Sequence, residues 1–347
     1  MNIYILDGLA GISGVIETYE SVIWNMQFSG VNDFQIQLPL SAGALLTRGT
    51  CLVRETDVTA NGYRNVMRIE NRVISFDADR GWILTVSGGG LKKIVGQRVV
   101  WEQTNFEEEN VETAIRAVIT DNIISPDDSD RTIANFILAD AVGLTVTFDA
   151  QLFGDNIADW IQSTCEVYGC GWDVYIENGK YVFALIYPTD RSYDSEDPVV
   201  FSPGFDNLAA ATYENLGTEA YNVALVGGEG EGTEQVTTSV GSGAGLGRYE
   251  TYIDGSSVSS NGEIITLETY ISMLQTYGTE QMTQSHESVS GEIIQNGLYT
   301  FGEDYFLGDI VQVDVGAVAS VKMRIAEMIY SEDVNGSALV PTFEEVQ

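Results

Sequence analysis

Residues 299–316 read YTFGEDYFLGDIVQVDVG, and residues 321–333 read VKMRIAEMIYSED. Tyr305, Leu307, Ile310, Val311, Val313 and Val315 fall into two period-two runs, joined where Gly308-Asp309 supplies a turn or bulge. Met323, Ile325, Met328 and Tyr330 continue the alternation. Beyond the Asn335-Gly336 turn, Ala338 and Val340 supply an antiparallel return. A period of two places one set of side chains on a buried face and the other in water. The stretch Tyr299–Phe343 therefore reads as a small β-barrel module that ends in its own closing strand. None of its residues has the reach or pairing of a catalytic group, so it points to architecture rather than to chemistry.

The first hundred residues carry the same signal. Val22, Trp24, Met26 and Phe28 alternate within 21–28, and Phe34, Ile36 and Leu38 alternate up to Pro39, which ends the strand. Short apolar runs at Ile3–Leu6, Gly14–Ile16, Cys51–Val53, Asn65–Ile69 and Trp82–Val86 complete a turn-punctuated set, as expected for a barrel. Leu91-Lys92-Lys93-Ile94 reads as a short helical turn that closes this unit.

At Trp101 the pattern changes. Asn110 can cap a helix from Val111 to Ile123, with Ala114, Ile115, Val118 and Ile119 on one stripe. Asp155 or Asn156 can start a second helix, whose stripe is Ile157, Trp160, Ile161, Thr164, Cys165 and Tyr168, with Gly169 near its end. Trp172–Ile176, the Asn178-Gly179 turn and Tyr181–Ile186 make the clearest hairpin in the chain. A third helix is expected from Thr266 to about Thr283. The expected fold class is α+β, mainly β, with two small β-barrels. The expected division is a first barrel at 1–100, an α+β domain at 101–198, a second barrel from 205–231 with 291–347, and an insertion at 232–290 with one helix.

Charge is distributed very unevenly. The formal net charge is −35, from 51 acidic and 16 basic residues. The first hundred residues hold nine of each and are neutral, so the whole imbalance lies beyond them. Between Ser192 and Val321 the only basic residue is Arg248. Such a field repels nucleic acid rather than binding it. Cys51, Cys165 and Cys170 form no CxxC pair, and a single His argues against a zinc site of the usual kind. The N-terminus has no basic stretch ahead of an apolar run, and no segment approaches ~18 uninterrupted apolar residues, so no signal peptide and no membrane span are expected.

No motif assembles into a reactive site. The run Gly227–Gly232, GGEGEG, is followed by Thr233-Glu234 where a phosphate-binding loop needs Lys and Ser/Thr, and its own glutamates oppose phosphate. It reads as a strand exit. His286 has no nucleophile or acid placed to work with it by spacing. Asp127-Asp128-Ser129-Asp130 lacks the Gly and closing Glu of a calcium loop, and Asp194, Glu196 and Asp197 are a similar solvated run. Trp24, Trp101, Trp160 and Trp172 sit within apolar patterns and read as core. No catalytic residue, metal ligand or cofactor-binding residue is identified, and no cofactor is expected.

Four stretches carry a family likeness: Trp24 with Phe34–Pro39 (FQIQLP); the helix around Val111–Ile123; Ala220–Gly232 (AYNVALVGGEGEG) with Gly247-Arg248-Tyr249-Glu250; and Tyr305–Val313 (YFLGDIVQV) with Val340-Pro341-Thr342-Phe343. On these the chain resembles the siphovirus Gp37-like tail proteins, a branch of the phage baseplate-hub family. The resemblance implies a homotrimeric hub, not an enzyme, in which each protomer gives two similar β-barrels and three protomers build a pseudo-sixfold ring. It also implies a virion location in the phage tail after assembly in the host cytoplasm. The implied neighbours are the distal tail ring, the tape measure and the tip or fibre proteins, with DNA passing in transit through an acidic channel. Larger relatives carry a peptidoglycan-cleaving domain after the hub; this sequence stops at Gln347, and that activity is expected elsewhere. The alternatives are a tail-associated cell-wall hydrolase and a receptor- or carbohydrate-binding tail module.

Overall fold

The computed structural model describes residues 1–216, 220–230, 232–258, 266–282, 286–294, 297–316 and 320–346. The N-terminal region contributes strands β1 (Ile3–Leu6), β2 (Ile12–Ile16), β3 (Ser21–Gln27), β4 (Asp33–Pro39), β5 (Cys51–Arg54), β6 (Gly62–Tyr63), β7 (Met67–Asp77) and β8 (Gly81–Gly90), then the turn of helix α1 (Lys92–Val95). The next region holds β9 (Thr104–Asn110), α2 (Val111–Ile119), β10 (Phe136–Leu138), β11 (Thr147–Leu152), α3 (Ile157–Tyr168), β12 (Gly171–Glu177) and β13 (Lys180–Ile186). Short strands β14 (Asp190–Arg191) and β15 (Val200–Phe201) lead to β16 (Leu208–Leu216). There follow β17 (Val223–Gly227), β18 (Thr237–Gly241), β19 (Glu250–Asp254) and α4 (Leu267–Gln281). The chain closes with β20 (His286–Ile293), β21 (Ile310–Asp314), β22 (Ser320–Asp333) and β23 (Gly336–Glu345).

Local chemistry sets these elements. Asn110 caps α2 by accepting from the Thr113 N–H, and Asn156 caps α3 by accepting from Ala158 and Asp159. Gly169 ends α3 with φ +68°, a conformation that a side chain resists. In the β12–β13 hairpin the two loop residues, Asn178 and Gly179, both have positive φ (50° and 70°), as a type I′ turn requires. At the last hairpin the pairing Asp333↔Gly336 leaves Val334-Asn335 in the loop, one residue before the turn expected at Asn335-Gly336. The helix expected from Thr266 to about Thr283 is α4, which Thr266 caps by accepting from the Thr269 N–H, while Thr283 lies outside the described residues.

The fold is mainly β. Its main feature is a 14-stranded sheet with the path β16-β20-β23-β22-β3-β4-β8-β7-β5-β1-β2, with β14, β15 and β21 branching from β22. Among the described residues this path closes into no barrel. The N-terminal strands and the C-terminal strands instead share one sheet, because β22 pairs antiparallel with β3 from Glu327↔Gln27 to Asp333↔Ser21.

Along that path two units repeat one connectivity. In chain order, β3, β4, β5, β7 and β8 correspond to β16, β20, β21, β22 and β23. The correspondence holds to single residues. Gly49 N–H donates to Ile69 O and Ile69 N–H to Thr50 O, just as Gly308 N–H donates to Ile325 O and Ile325 N–H to Asp309 O. Gly49 and Gly308 have φ of +93° and +92°. Cys51↔Arg68 and Leu52↔Met67 match Ile310↔Arg324 and Val311↔Met323. The bulge between Ile69 and Asn71 matches that between Ile325 and Glu327.

Both units feed one core. Trp24, Phe34, Ile36, Met67, Ile69 and Leu84 pack with Phe201, Tyr305, Val311, Met323, Ile325 and Phe343. A second core lies under α2, α3 and the β12–β13 hairpin, and reaches back to Leu6, Val53, Leu91 and Val95. A third, smaller core unites Ala224, Val226 and Val240 with Tyr270, Met273 and Leu274 of α4. Strand 223–227 belongs to this third core: β17 pairs with β18 and β19, not with the C-terminal unit. Its apolar alternation fits either sheet, and the close pairing to β18 decides. Trp101, read as core, is 62% exposed and lies under the Arg131 guanidinium.

Candidate functional site

The features flagged in the sequence do not converge. Asp128 accepts the Asp130 N–H and shapes a local turn. Asp194 takes an ion pair from Lys322. Gly227 and Gly228 sit where a Cβ would strike Tyr252 and Tyr270, so this part of GGEGEG lets a strand pass under aromatic rings. Residue 231 lies outside the described residues, and His286 opens β20. The three cysteines are free and buried. Among the described residues no cluster of His, Cys, Asp and Glu is placed to hold a metal ion.

The buried charges gather at the joint between the units. A cavity of about 960 Å³ opens there, with Arg54, Lys92, Trp172, Tyr187, Tyr305 and Tyr330 in its wall. Arg54 is 5% exposed, with its guanidinium 5.8 Å from the Trp24 ring and 5.6 Å from the Tyr330 ring. Its Nε and Nη2 donate to the Asp57 carboxylate at 2.5 and 3.1 Å, and Asn65 donates to the same carboxylate at 2.8 Å. Lys92 is buried, and its Nζ donates to the carbonyls of Gln27, Phe28 and Gly30 at 2.6, 3.1 and 2.7 Å. Burial pulls the Lys92 ammonium down to about 8, against the opposing pull of Asp173. Asp309 accepts from Arg191 Nε at 2.6 Å. These charges are met by the chain itself, so they lock the joint.

The insertion has its own joint. A cavity of about 260 Å³ between α3 and α4 has Asp155, Asp159 and Glu280 in its wall. Burial, aided by Asp155, pushes the Glu280 carboxyl up to about 8, and Thr164 Oγ1 at 3.5 Å only partly offsets this.

The surface feature that stands apart is the outer half of β7. It pairs with β8 throughout, but β5 covers only Met67 and Arg68 on its other side. Residues 71–76 are exposed on both faces, with Val73 at 59%, Ile74 at 48% and Phe76 at 64%. Trp82 stands edge-on to Phe76 at 5.3 Å. An apolar strand edge of this length is a template for another strand. Alternation alone assigns this segment no role. An internal repeat marks it: Met67-Arg68-Ile69, Ser75 and Asp77 recur as Met323-Arg324-Ile325, Ser331 and Asp333.

The family model for the siphovirus ReqiPepy6 Gp37-like protein matches residues 2–343. No curated protein matches the chain in sequence. Among solved structures, the 43 kDa tail protein of prophage MuSo2 from Shewanella oneidensis is 12% identical with a TM-score of 0.61, over 99% of this chain and 98% of that one. A tail protein from Neisseria meningitidis MC58 is 11% identical with a TM-score of 0.60, over 99% and 96%. The prophage tail protein gp18 from Listeria monocytogenes EGD-e is 9% identical with a TM-score of 0.53, over 99% and 94%. At such identities these structures are alike in fold. The sequence match runs nearly end to end, and the chain belongs to the siphovirus ReqiPepy6 Gp37-like protein family.

Proposed function

We propose that this chain is a structural component of a phage tail tip or baseplate, a trimeric hub that joins the tail tube to the host-binding tip and lines or closes the DNA exit channel. The observation that carries the reading is the duplicated unit. One chain holds two copies of the same strand connectivity in one sheet, so three chains present six like units to a sixfold tube. The prophage tail proteins that share the fold support a place in the tail. The ring-forming units are residues 1–100 and, from the rest of the chain, 205–222 with 286–347. The α+β domain at 101–198 and the insertion built on β17–β19 and α4 hang from that ring. Its neighbours are then the distal tail ring, the tape measure and the tip or fibre proteins, in a virion assembled in the host cytoplasm.

Charge fits a passage for DNA. Three copies carry three times −35, or −105, which would keep a polyanion from adhering to the wall. The neutral first unit is free to make close contacts between copies without this repulsion. Sedimentation velocity over a range of concentration and salt should show a trimer, and class averages of the isolated particle should show threefold symmetry. Monomer under every condition would overturn the reading.

A further inference from the structure

The two units differ in one respect that identifies what covers the bare edge of β7. In the second unit the equivalent half-strand, Glu327–Asp333, is covered by β3 of the first unit. In the first unit the half-strand Asn71–Asp77 has β8 on one side and, among the described residues, no strand on the other. The strand equivalent to β3 is β16, at the far end of the path, which pairs with β20 alone among the described strands. One chain thus presents two complementary edges, the free side of β16 and the outer half of β7, each the counterpart of an edge already joined inside it.

We propose that β16 of one copy adds antiparallel to the outer half of β7 in the next, in the register by which β3 joins β22. This rests on the trimeric reading above in taking the partner to be a second copy. The register follows from matched pairs. Trp24↔Phe34 and Asn25↔Asp33 correspond to Tyr213↔Val289 and Glu214↔Ser288. Asp77↔Gly81 corresponds to Asp333↔Gly336. The internal pairs Ser331↔Ile23, Tyr330↔Trp24 and Ile329↔Asn25 then translate into Ser75↔Thr212, Ile74↔Tyr213 and Val73↔Glu214 between copies.

Side-chain chemistry agrees with that register. At the internal seam Asn25 Nδ2 donates to Glu327 Oε1 at 2.7 Å. The counterparts of these residues are Glu214 and Asn71, the same amide and carboxylate with the strands exchanged. Both are exposed in the single chain, so Asn71 can donate across the seam to Glu214 of the next copy. Ile74 and Phe76 would pass from water to the seam, as Tyr330 has inside the chain. Each copy offers one edge of each kind, so the contact is head-to-tail, and such contacts generate a ring when the rotation closes.

The test is a cysteine pair across the seam, Ser75→Cys with Thr212→Cys, in the full chain under mild oxidation with oxidised glutathione. The native cysteines are buried. Directly opposed strand residues lie within disulfide reach. Dimers and trimers linked by a reducible bond are expected. A pair shifted by two residues, Ser75→Cys with Glu214→Cys, should link about tenfold less, because diagonal neighbours stand ~7–8 Å apart. Equal or better linking of the shifted pair overturns the register. Failure of both pairs to link while sedimentation still shows trimers overturns the seam and leaves the hub reading standing. Monomers throughout overturn both. Hydrogen exchange on the unmodified protein reads the seam without substitution. The 71–77 amides should gain protection with rising concentration, and equal exchange in monomer and trimer would sink the proposal.

Discussion

The first and second units are the same construction under two conditions of burial. Met328, buried at 0% in the second unit, has Arg72 as its counterpart; half-buried Tyr330 has exposed Ile74; partly buried Glu332 has exposed Phe76. Connectivity, bulge and glycine turn are alike, so the strand's own geometry cannot be the cause. The difference is a neighbour: β3 lies along one and no described strand lies along the other. Apolar residues at a bare edge are costly in isolation, so their presence at Val73, Ile74 and Phe76 points to a surface that is covered in the assembled particle. The units also differ in the connection between their first two strands. Residues 28–32 join β3 to β4, whereas between β16 and β20 the same position holds the whole insertion with its own core.

The largest effect should come from the joint. Arg54 in the first unit stands where the second has buried Val313. Arg54→Ala leaves Asp57 buried without its cation and empties the space between Trp24 and Tyr330. A loss of about 3–5 kcal/mol in denaturant unfolding is expected. A loss below about 1 kcal/mol would mean the pair holds nothing together. The paired glycines come next. A Cβ on Gly308 would lie 2.1 Å from the ring of Phe28, whereas on Gly49 its nearest neighbour is Arg68 at 3.7 Å. Both would suffer the left-handed penalty, about 1–2 kcal/mol, and Gly308→Ala would add overpacking of about 1–3 kcal/mol. Equal losses at the two glycines would show that the Phe28 contact relaxes freely.

Much of the strand content was legible because the chain alternates cleanly wherever one face is buried. The Gly308-Asp309 bend, the Asn178-Gly179 turn and the caps at Asn110 and Asn156 were legible because each rests on local backbone chemistry. Two things were not. Strand 223–227 alternates equally well for either sheet, and only its partners decide between them. The outer half of β7 reads as polar and apolar residues mixed, since neither of its faces is buried within one chain. Repeat spacing marks that segment, in the recurrence of Met-Arg-Ile at 67 and 323, because duplication preserves sequence that periodicity does not explain. The joint was illegible for a plainer reason: Arg54 and Asp57 stand only three residues apart, but the Trp24 and Tyr330 rings that enclose the pair, and the carbonyls that hold Lys92, come from distant stretches that meet by folding.

The insertion offers a smaller, pH-dependent contrast. Glu280 holds its proton up to about 8 when docked, against an ordinary value near 4.5. Between those values the docked state binds the extra proton, so docking stability falls as pH rises through the window and levels off above it. Glu280→Gln mimics the protonated form. It should match the native chain near pH 4.5 and pull ahead of it progressively up to about pH 8, read as a gap in Tm that widens through that window and is constant above it. A gap that stays constant with pH would show that Glu280 reaches solvent at the joint.

The smallest effect on the single chain should accompany a large effect on assembly. Ile74→Ser with Phe76→Ser removes apolar area that the isolated protomer leaves in water. Its unfolding free energy should move by less than about 0.5 kcal/mol, as for exposed positions generally. In the assembly the same side chains are covered, and losing their burial should weaken association by about tenfold or more, at roughly 25 cal/mol per Å². The matching change in the second unit, Tyr330→Ser, should do the reverse. It strikes a seam already formed within the chain, and so lowers protomer stability by about 1–3 kcal/mol. Sedimentation and denaturant unfolding of both variants cross-check each other. If Ile74→Ser with Phe76→Ser left the association constant unchanged, the two edges would be alike in fold only, and the apolar residues on β7 would face a different protein.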